Sequence, residues 1–388
     1  MIPALRNLPL LAACQALLLM NGVTLIAVNT LVGLALAPNR SLASLPVTAY
    51  VVGTALTTVP SAYFMKRHGR RAGFMLGAVI GMAGGLVSAL AVQSASFWLL
   101  CLGTLMGGSY NAFGLQYRFA AADAAPPDWK SRAISLTLAG GILGGILGPE
   151  TGKLTRDLLA PPFLASYLTL TAYAFAALLV ASRLDIPPLA AGQQATGGRP
   201  LREIARQPAF VVAVLAAAGG YGVMNLLMTA TPLAMDMCGH PFADAAFVLE
   251  WHVIGMFSPS FFTGGLIRRF GVGRIIGTGA VLLVTSVGIN VAGNTVAHFW
   301  AGLLALGIGW NFLYIGGTTL LTETHRPEER AKVQGGNDFL VFAVQGMTSL
   351  AAGALITGEG WQALNLLALP VALAAGAASL WYLRRPTS

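Results

Sequence analysis

Long apolar stretches fill almost all of this 388-residue sequence, and most of the polar connections between them are short. Only 10% of the residues are charged, whereas a soluble domain carries about 25%. A helix needs about 20 mostly apolar residues to cross roughly 30 Å of hydrocarbon. Twelve stretches come close to this requirement. The sequence therefore predicts an all-α, multi-pass membrane protein rather than a water-soluble enzyme.

The first stretch has no small-residue cleavage signature near its end, so we interpret it as a span and not as a removed signal peptide. The predicted spans cover residues 8–35, 45–65, 72–93, 97–118, 132–152, 163–184, 209–232, 243–266, 274–293, 297–321, 333–356 and 361–383.

The basic residues predict the orientation of these spans. If both termini are cytoplasmic, only Arg40, Lys153 and Arg156 of the 23 Lys and Arg residues fall on the outer face. Such a bias is typical of membrane proteins. The Lys and Arg residues of the cytoplasmic loops, next to the lipid bilayer, account for the net charge of +9. No nucleic-acid partner is needed to explain it. We expect a multi-pass protein of a bacterial inner membrane, with both termini in the cytoplasm and present as a monomer.

The two halves of the chain resemble each other. The longest connection, residues 185–208, separates a predicted N-terminal bundle (1–184) from a C-terminal bundle (209–388), each with six spans. Gly69 and Gly271 lie 202 residues apart, each after a basic pair and before the third span of its half. The segments "PPDWKSRA" (126–133) and "RPEERAKV" (326–333) recur 200 residues apart, each between the fourth and fifth spans of its half. The sequence thus predicts a duplicated six-span unit, a known plan for transporters.

Twelve spans, this duplication and the basic loops after spans 2 and 8 resemble the major facilitator superfamily across the whole chain. The resemblance implies two six-helix bundles that alternate access to a central site. It also implies a gating role for the loop residues Gly69, Arg70, Arg71, Arg269 and Gly271, although a plain topology signal is the alternative. Lys66 and Arg268 depart from the family pattern, in which an acidic residue is common.

Two neighbouring spans carry soft ligands at helical spacing. Met224 and Met228 share one face of span 7, and His252 and Met256 share one face of span 8. The loop between them contains Cys238. Thioether, thiolate and imidazole groups suit copper, so these five residues are a candidate copper path. The alternative is ordinary packing by methionine.

The Met-x-x-x-Met and His-x-x-x-Met pairs, with the segment "WHVIGMFSPSFFTGGLIRRFG", resemble the copper importers that supply cytochrome oxidase assembly, the CcoA-like members of the CalT group. The resemblance implies copper as the transported substrate and no prosthetic group. The same group includes riboflavin importers, so import of riboflavin or another small organic solute is the alternative. A partial glycine motif in span 5, "GGILGGILGPETGK", favours a third hypothesis, a proton-coupled exporter.

Other polar residues inside the spans complete the candidate site. Glu150 and Glu250 are candidates for proton coupling, because ionisable groups in spans are costly and usually functional. Asn21 and Asn311 are candidates for the cavity lining, with interhelical hydrogen bonding as the alternative. Trp310 and Tyr314 flank Asn311 in span 10. Such aromatic rings beside amides would suit a planar solute such as a flavin.

Overall fold

The computed structural model describes residues 7–124, 130–186, 198–326 and 329–384, and the regular elements in these ranges are all helical. In the first half, the helices are α1 (Asn7–Leu36), α2 (Leu45–His68), α3 (Arg70–Gln93), α4 (Phe97–Gly114), α5 (Tyr117–Ala124), α6 (Lys130–Thr155) and α7 (Leu164–Ala181). A short 3₁₀ turn, Arg40–Leu42, precedes α2.

In the second half, two short helices, α8 (Leu201–Ile204) and α9 (Pro208–Val214), precede a π turn (Leu215–Gly219). There follow α10 (Gly220–Met237), α11 (Phe242–Phe257), α12 (Ser260–Phe270), α13 (Val272–Ala292), α14 (Val296–Thr322), α15 (Arg330–Gly358) and α16 (Gly360–Leu383). Helices α9 and α10, joined through the π turn, form one predicted span.

All twelve predicted spans are helical in the structure. Among the described residues, nine helices are long and apolar enough to cross a membrane, and the bent pair α11 and α12 makes ten. The remaining two predicted spans correspond to α4 with α5 and to α6. Helix α4 carries glycine and polar residues such as Ser109 and Asn111, which lower its hydropathy. The predicted all-α, twelve-span architecture is confirmed.

The helices cluster into two compact units. The first contains Met1–Ala190 together with Gly239–Glu250, and the second contains Ala191–Cys238 and Trp251–Ser388. The division of the main chain therefore falls inside the predicted linker, residues 185–208. The segment Gly239–Glu250 differs from the predicted division, because it holds the first turns of α11 yet packs with the N-terminal helices. Phe242 in that segment meets the ring of Phe163 edge to face, with ring centroids 5.5 Å apart.

The same pairs of spans pack together in both halves. In the first unit, α3 packs on α4 and α7, and α1 packs on α6 and α7. In the second unit, α13 packs on α14 and α16, and α10 packs on α15 and α16. These are equivalent pairs when the six spans of each half are numbered in order. The duplication predicted from the basic loops is therefore present in the packing.

Glycine allows a close contact between α2 and α4. A Cβ atom on Gly53 in α2 would collide with the carbonyl oxygen of Leu105 in α4, and one on Gly108 in α4 would collide with that of Tyr50 in α2. The two helices thus meet backbone to backbone. Small residues at such interfaces are the usual route to van der Waals contact between helices in lipid.

Two residues of the predicted linker, Asp185 at its start and Arg199 within it, are hydrogen-bonded to the unit that each adjoins. In the first unit, the amide of Asn7 donates to the carbonyl oxygen of Asp185 (2.5 Å), and the Asp185 N–H donates to Asn7 Oδ1 (3.0 Å). In the second unit, the guanidinium of Arg199 donates to both carboxylate oxygens of Glu329, at 3.0 and 2.8 Å. The backbone N–H of Arg199 also donates to Glu329 Oε1 (2.7 Å). Glu329 is fully buried.

Candidate substrate-binding site

The four predicted sulfur and imidazole ligands all lie in the second unit and are all buried. Met224 and Met228 lie one turn apart on α10, with 4% and 6% of their surfaces exposed. His252 and Met256 lie one turn apart on α11, with 0% and 7% exposed. Gly307 of α14 lies against the backbone of this turn of α11. Each pair therefore shares a buried helix face, as the spacing predicts.

The imidazole of His252 is held in one orientation. Its Nδ1–H donates to the carbonyl oxygen of Leu303 at 2.7 Å, so the neutral ring carries its lone pair on Nε2. That atom is buried and has no hydrogen-bond partner among the described residues. Histidines that bind a metal through one ring nitrogen commonly donate a hydrogen bond from the other ring N–H to a carbonyl oxygen in this way. No group of three or more His, Cys, Asp or Glu side chains in the described ranges is arranged to hold a metal ion, so thioethers would have to supply the other ligands.

Cys238, the predicted accessory thiol, caps the end of α10 and is exposed. Its sulfur accepts a hydrogen bond from Asn294 Nδ2 at 3.7 Å. This bond ties the loop after α10 to the loop before α14. Cys14 and Cys101 are also free thiols, and Cys14 lies in the hydrophobic core of the first unit.

The two carboxylates predicted for proton coupling lie close to each other in the first unit. Lys153 Nζ lies 3.4 Å from Glu150 Oε1, one turn along α6. Glu250 interacts electrostatically with both Glu150 and Lys153. Glu150 and Glu250 are therefore neighbours in charge as well as in fold, and their role in proton coupling stays a prediction.

The two predicted cavity amides are both buried and bonded between helices. Asn21 Nδ2 on α1 donates to the carbonyl oxygen of Leu170 on α7 at 3.0 Å. Asn311 Nδ2 on α14 donates to the carbonyl oxygen of Met256 and to Ser260 Oγ, both at 2.7 Å. Asn311 Oδ1 accepts from Thr263 Oγ1 at 2.7 Å. Asn311 therefore bridges the two sides of the 43° bend between α11 and α12.

The two basic loops have the same backbone conformation. Gly69 ends α2 with φ 85° and ψ 159°, and Gly271 ends α12 with φ 86° and ψ 149°. This region is essentially reserved for glycine. Arg70 is buried, whereas Arg71 and Arg269 are exposed. The matched geometry accounts for the presence of glycine at both positions, and the gating role of these residues stays a prediction.

Four aromatic rings meet in the second unit. Trp310 and Tyr314 on α14 stack with centroids 5.0 Å apart and planes 10° apart. Tyr221 on α10 meets both rings edge to face, at 5.1 and 5.2 Å. Phe257 at the end of α11 meets Trp310 at 6.1 Å. We call Tyr221, Phe257, Trp310 and Tyr314 the aromatic cluster. Tyr221 and Phe257 were not predicted, since an aromatic residue inside an apolar span gives no signal of its own.

The comparisons with known proteins agree with this architecture. The family model described as Major Facilitator Superfamily matches the chain in two overlapping stretches, residues 11–344 and 251–388. The chain belongs to the major facilitator superfamily. The predicted resemblance to this superfamily is thus confirmed, and with it the prediction of a multi-pass membrane transporter.

Two relatives in the superfamily illustrate the range of similarity. The chain is 43% identical over 371 residues to "Riboflavin transporter RfnT" of Brucella anthropi, covering 95% of this chain and 93% of that protein. It is 27% identical over 362 residues to "Uncharacterized MFS-type transporter YdeG" of Bacillus subtilis, covering 88% and 84%. The first relative is consistent with the predicted resemblance to a group that contains riboflavin importers.

Solved structures show the same superfamily fold. A bacterial homologue of the human lysosomal transporter Spinster matches with a TM-score of 0.74 and 16% identity over 100% of both chains. The human organic anion transporter MFSD10 (TETRAN) matches with a TM-score of 0.69 and 15% identity, over 98% of this chain and 100% of that chain. At this level of identity the match concerns the fold alone.

Proposed function

We propose that this protein imports riboflavin across a bacterial inner membrane by alternating access, with both termini in the cytoplasm. The observation that carries the proposal is the 43% identity to a riboflavin transporter over 95% of the chain. Copper import, predicted first from the methionine and histidine pairs, has no comparable support. The riboflavin alternative from the same resemblance fits the comparisons better.

The aromatic cluster gives this proposal a physical basis. Riboflavin carries a planar isoalloxazine ring, and sites for such solutes combine aromatic walls with a few polar groups. Stacking on aromatic side chains is worth about 1–3 kcal/mol for each nucleobase-sized ring. A site of this kind is apolar enough to form between helices, since aromatic residues can pack there without burying a charge.

The direct test is complementation of a bacterium that cannot make riboflavin and lacks an importer of its own. Expression of this chain should restore growth on low external riboflavin and should produce saturable uptake of radiolabelled riboflavin. Cells carrying the empty vector are the control. Expression at the membrane without any uptake above the vector would overturn the proposal, and net loss of preloaded flavin would favour the exporter hypothesis.

Copper import is a second candidate, and the orientation of His252 favours it. The bare, buried Nε2 atom and the three buried thioethers could bind a soft ion weakly enough to release it. If copper is the cargo, His252→Ala and Met256→Ala should lower cellular copper uptake while riboflavin uptake is unchanged. Met347→Ala is the matched control, since Met347 is 71% exposed. Wild-type copper uptake by both variants would end this candidate.

A further inference from the structure

We propose that the aromatic cluster is the subsite that holds the flavin ring, with the indole N–H of Trp310 donating to a ring carbonyl. This inference rests on the proposed function and names the part of the substrate that the second unit recognises. The expected ligand class is a planar heteroaromatic ring with a carbonyl acceptor at its edge. Isoalloxazine is such a ring.

The first observation is the graded burial of the four rings. Trp310 is 4% exposed and forms the floor of the cluster, since it contacts the other three rings. Tyr221, Phe257 and Tyr314 are only half-buried. Three rings thus keep accessible surface around a buried indole. A planar ligand could stack on this accessible surface without displacing the floor.

The second observation is an unused donor. Trp310 Nε1 is buried and has no hydrogen-bond partner among the described residues. Indole N–H can only donate, and a buried donor without a partner is costly. A carbonyl oxygen at the edge of a stacked ring would supply the missing acceptor. Trp361 on α16 carries a similar buried indole N–H, but its ring packs on Phe299 at 5.1 Å, which is not part of the cluster.

The third observation is that two helix interruptions lie at the cluster. Tyr221 is the second residue of α10 and follows the π turn Leu215–Gly219. Phe257 is the last residue of α11, just before the 43° bend. π turns often mark functional sites, and transporters commonly build substrate sites at discontinuous helices. Two such breaks meet one buried tryptophan here.

Recognition through the ring predicts a particular specificity. A compound with the isoalloxazine ring but without the ribityl chain, such as lumiflavin, should compete with riboflavin. Free ribitol should not compete, since it carries the hydroxyl groups without the ring. This pattern distinguishes ring recognition from recognition of the sugar-alcohol chain.

The experiment measures flavin binding to the purified full-length protein in detergent, by quenching of flavin fluorescence. Trp310→Phe removes the donor and keeps an aromatic ring, so we expect the Kd for riboflavin to rise about 2- to 10-fold. Trp310→Leu also removes stacking, and we expect a rise of about tenfold or more. Trp361→Phe is the matched control, because it removes another buried indole donor of the same unit, and its Kd should equal that of the wild type.

The outcomes separate the two proposals. If wild-type protein neither binds nor transports riboflavin, the proposed function fails and this subsite fails with it. If the wild type binds riboflavin but both Trp310 variants bind it with unchanged Kd, the function stands and the subsite is refuted. Size-exclusion profiles and melting temperatures like those of the wild type show that each variant is folded. If Trp310→Leu does not fold, the Kd of the more conservative Trp310→Phe decides whether the subsite stands.

Discussion

Replacing Asn311 with alanine tests whether this residue supports the fold or binds the cargo. Its amide makes three hydrogen bonds of 2.7 Å, to the carbonyl oxygen of Met256, to Ser260 and with Thr263. Only 1% of its surface is exposed. The three partners lie on either side of the bend between α11 and α12, and Asn311 lies on α14, which faces the bend. Asn311→Ala would therefore remove the polar link across the bend.

The magnitude follows from these bonds. Each hydrogen bond contributes about 0.5–1.5 kcal/mol in proteins, and bonds between membrane helices average about 0.6 kcal/mol. The hydroxyl of Thr263 can also donate to the carbonyl oxygen of Pro259, at 2.7 Å, so its loss costs least. The two bonds donated by Asn311 have no such replacement in the variant. We expect Asn311→Ala to lower the free energy of unfolding by about 1–3 kcal/mol.

Reversible unfolding in mixed detergent micelles would measure this loss. Thr263→Val is the matched comparison, and it should cost less than about 1 kcal/mol because it removes only the shared bond. The KM of riboflavin uptake should stay within about threefold of the wild type, a change of less than about 0.7 kcal/mol. A stability loss below about 0.5 kcal/mol together with a strongly raised KM would refute the structural role and restore Asn311 to the cargo site.

Three further perturbations have defined outcomes. Gly69→Ala and Gly271→Ala should each lower the free energy of unfolding by about 1–3 kcal/mol through backbone strain. Gly264→Ala is the control and should not lower it, because Gly264 lies in a helix with open space around it. Equal melting temperatures for all three variants would contradict this prediction. The guanidinium of Arg199 holds the pKa of the Glu329 carboxyl well below its usual range, so the stability difference between wild type and Glu329→Gln should be constant from about pH 8 to 5. This stability difference should shrink as the pH falls below the ordinary carboxyl pKa of about 4.3. The free energy of unfolding measured against pH tests this, and a difference that already shrinks near neutral pH would contradict it. Glu250→Gln should flatten the pH dependence of uptake if Glu250 carries the coupled proton, and an unchanged pH profile in vesicles would exclude that role.

Much of the fold could be predicted because hydrocarbon imposes one rule on every span. Backbone polar groups must bond within the segment, so an apolar run of sufficient length is a helix. The interruptions could not be read in the same way. The π turn falls on "LAAAG", Leu215–Gly219, which contains no proline or polar residue to announce it. The bend before α12 has a visible cause in Pro259, which cannot donate a backbone hydrogen bond.

The site was harder to predict, since a sequence shows which polar groups lie in a span but not which of them are already bonded. Asn311 and Trp310 are adjacent, yet the amide has three partners while the indole N–H has none among the described residues. Likewise, the sulfur and imidazole pattern lies on buried faces of two helices, but neither the pattern nor its burial identifies the cargo, and its role as a copper path stays a prediction.

The anchoring of the linker has a mechanical consequence. Asn7 fixes Asp185 to the first unit, and Glu329 fixes Arg199 to the second. The covalent tether between these anchors is residues 186–198, whose contour length at about 3.3–3.6 Å per residue is at most about 50 Å. The whole stretch 185–208 would reach about 80 Å. The free connection between the repeats is thus shorter than the sequence suggests. Breaking the hydrogen bonds of either Asn7 or Glu329 would lengthen this connection without adding a residue.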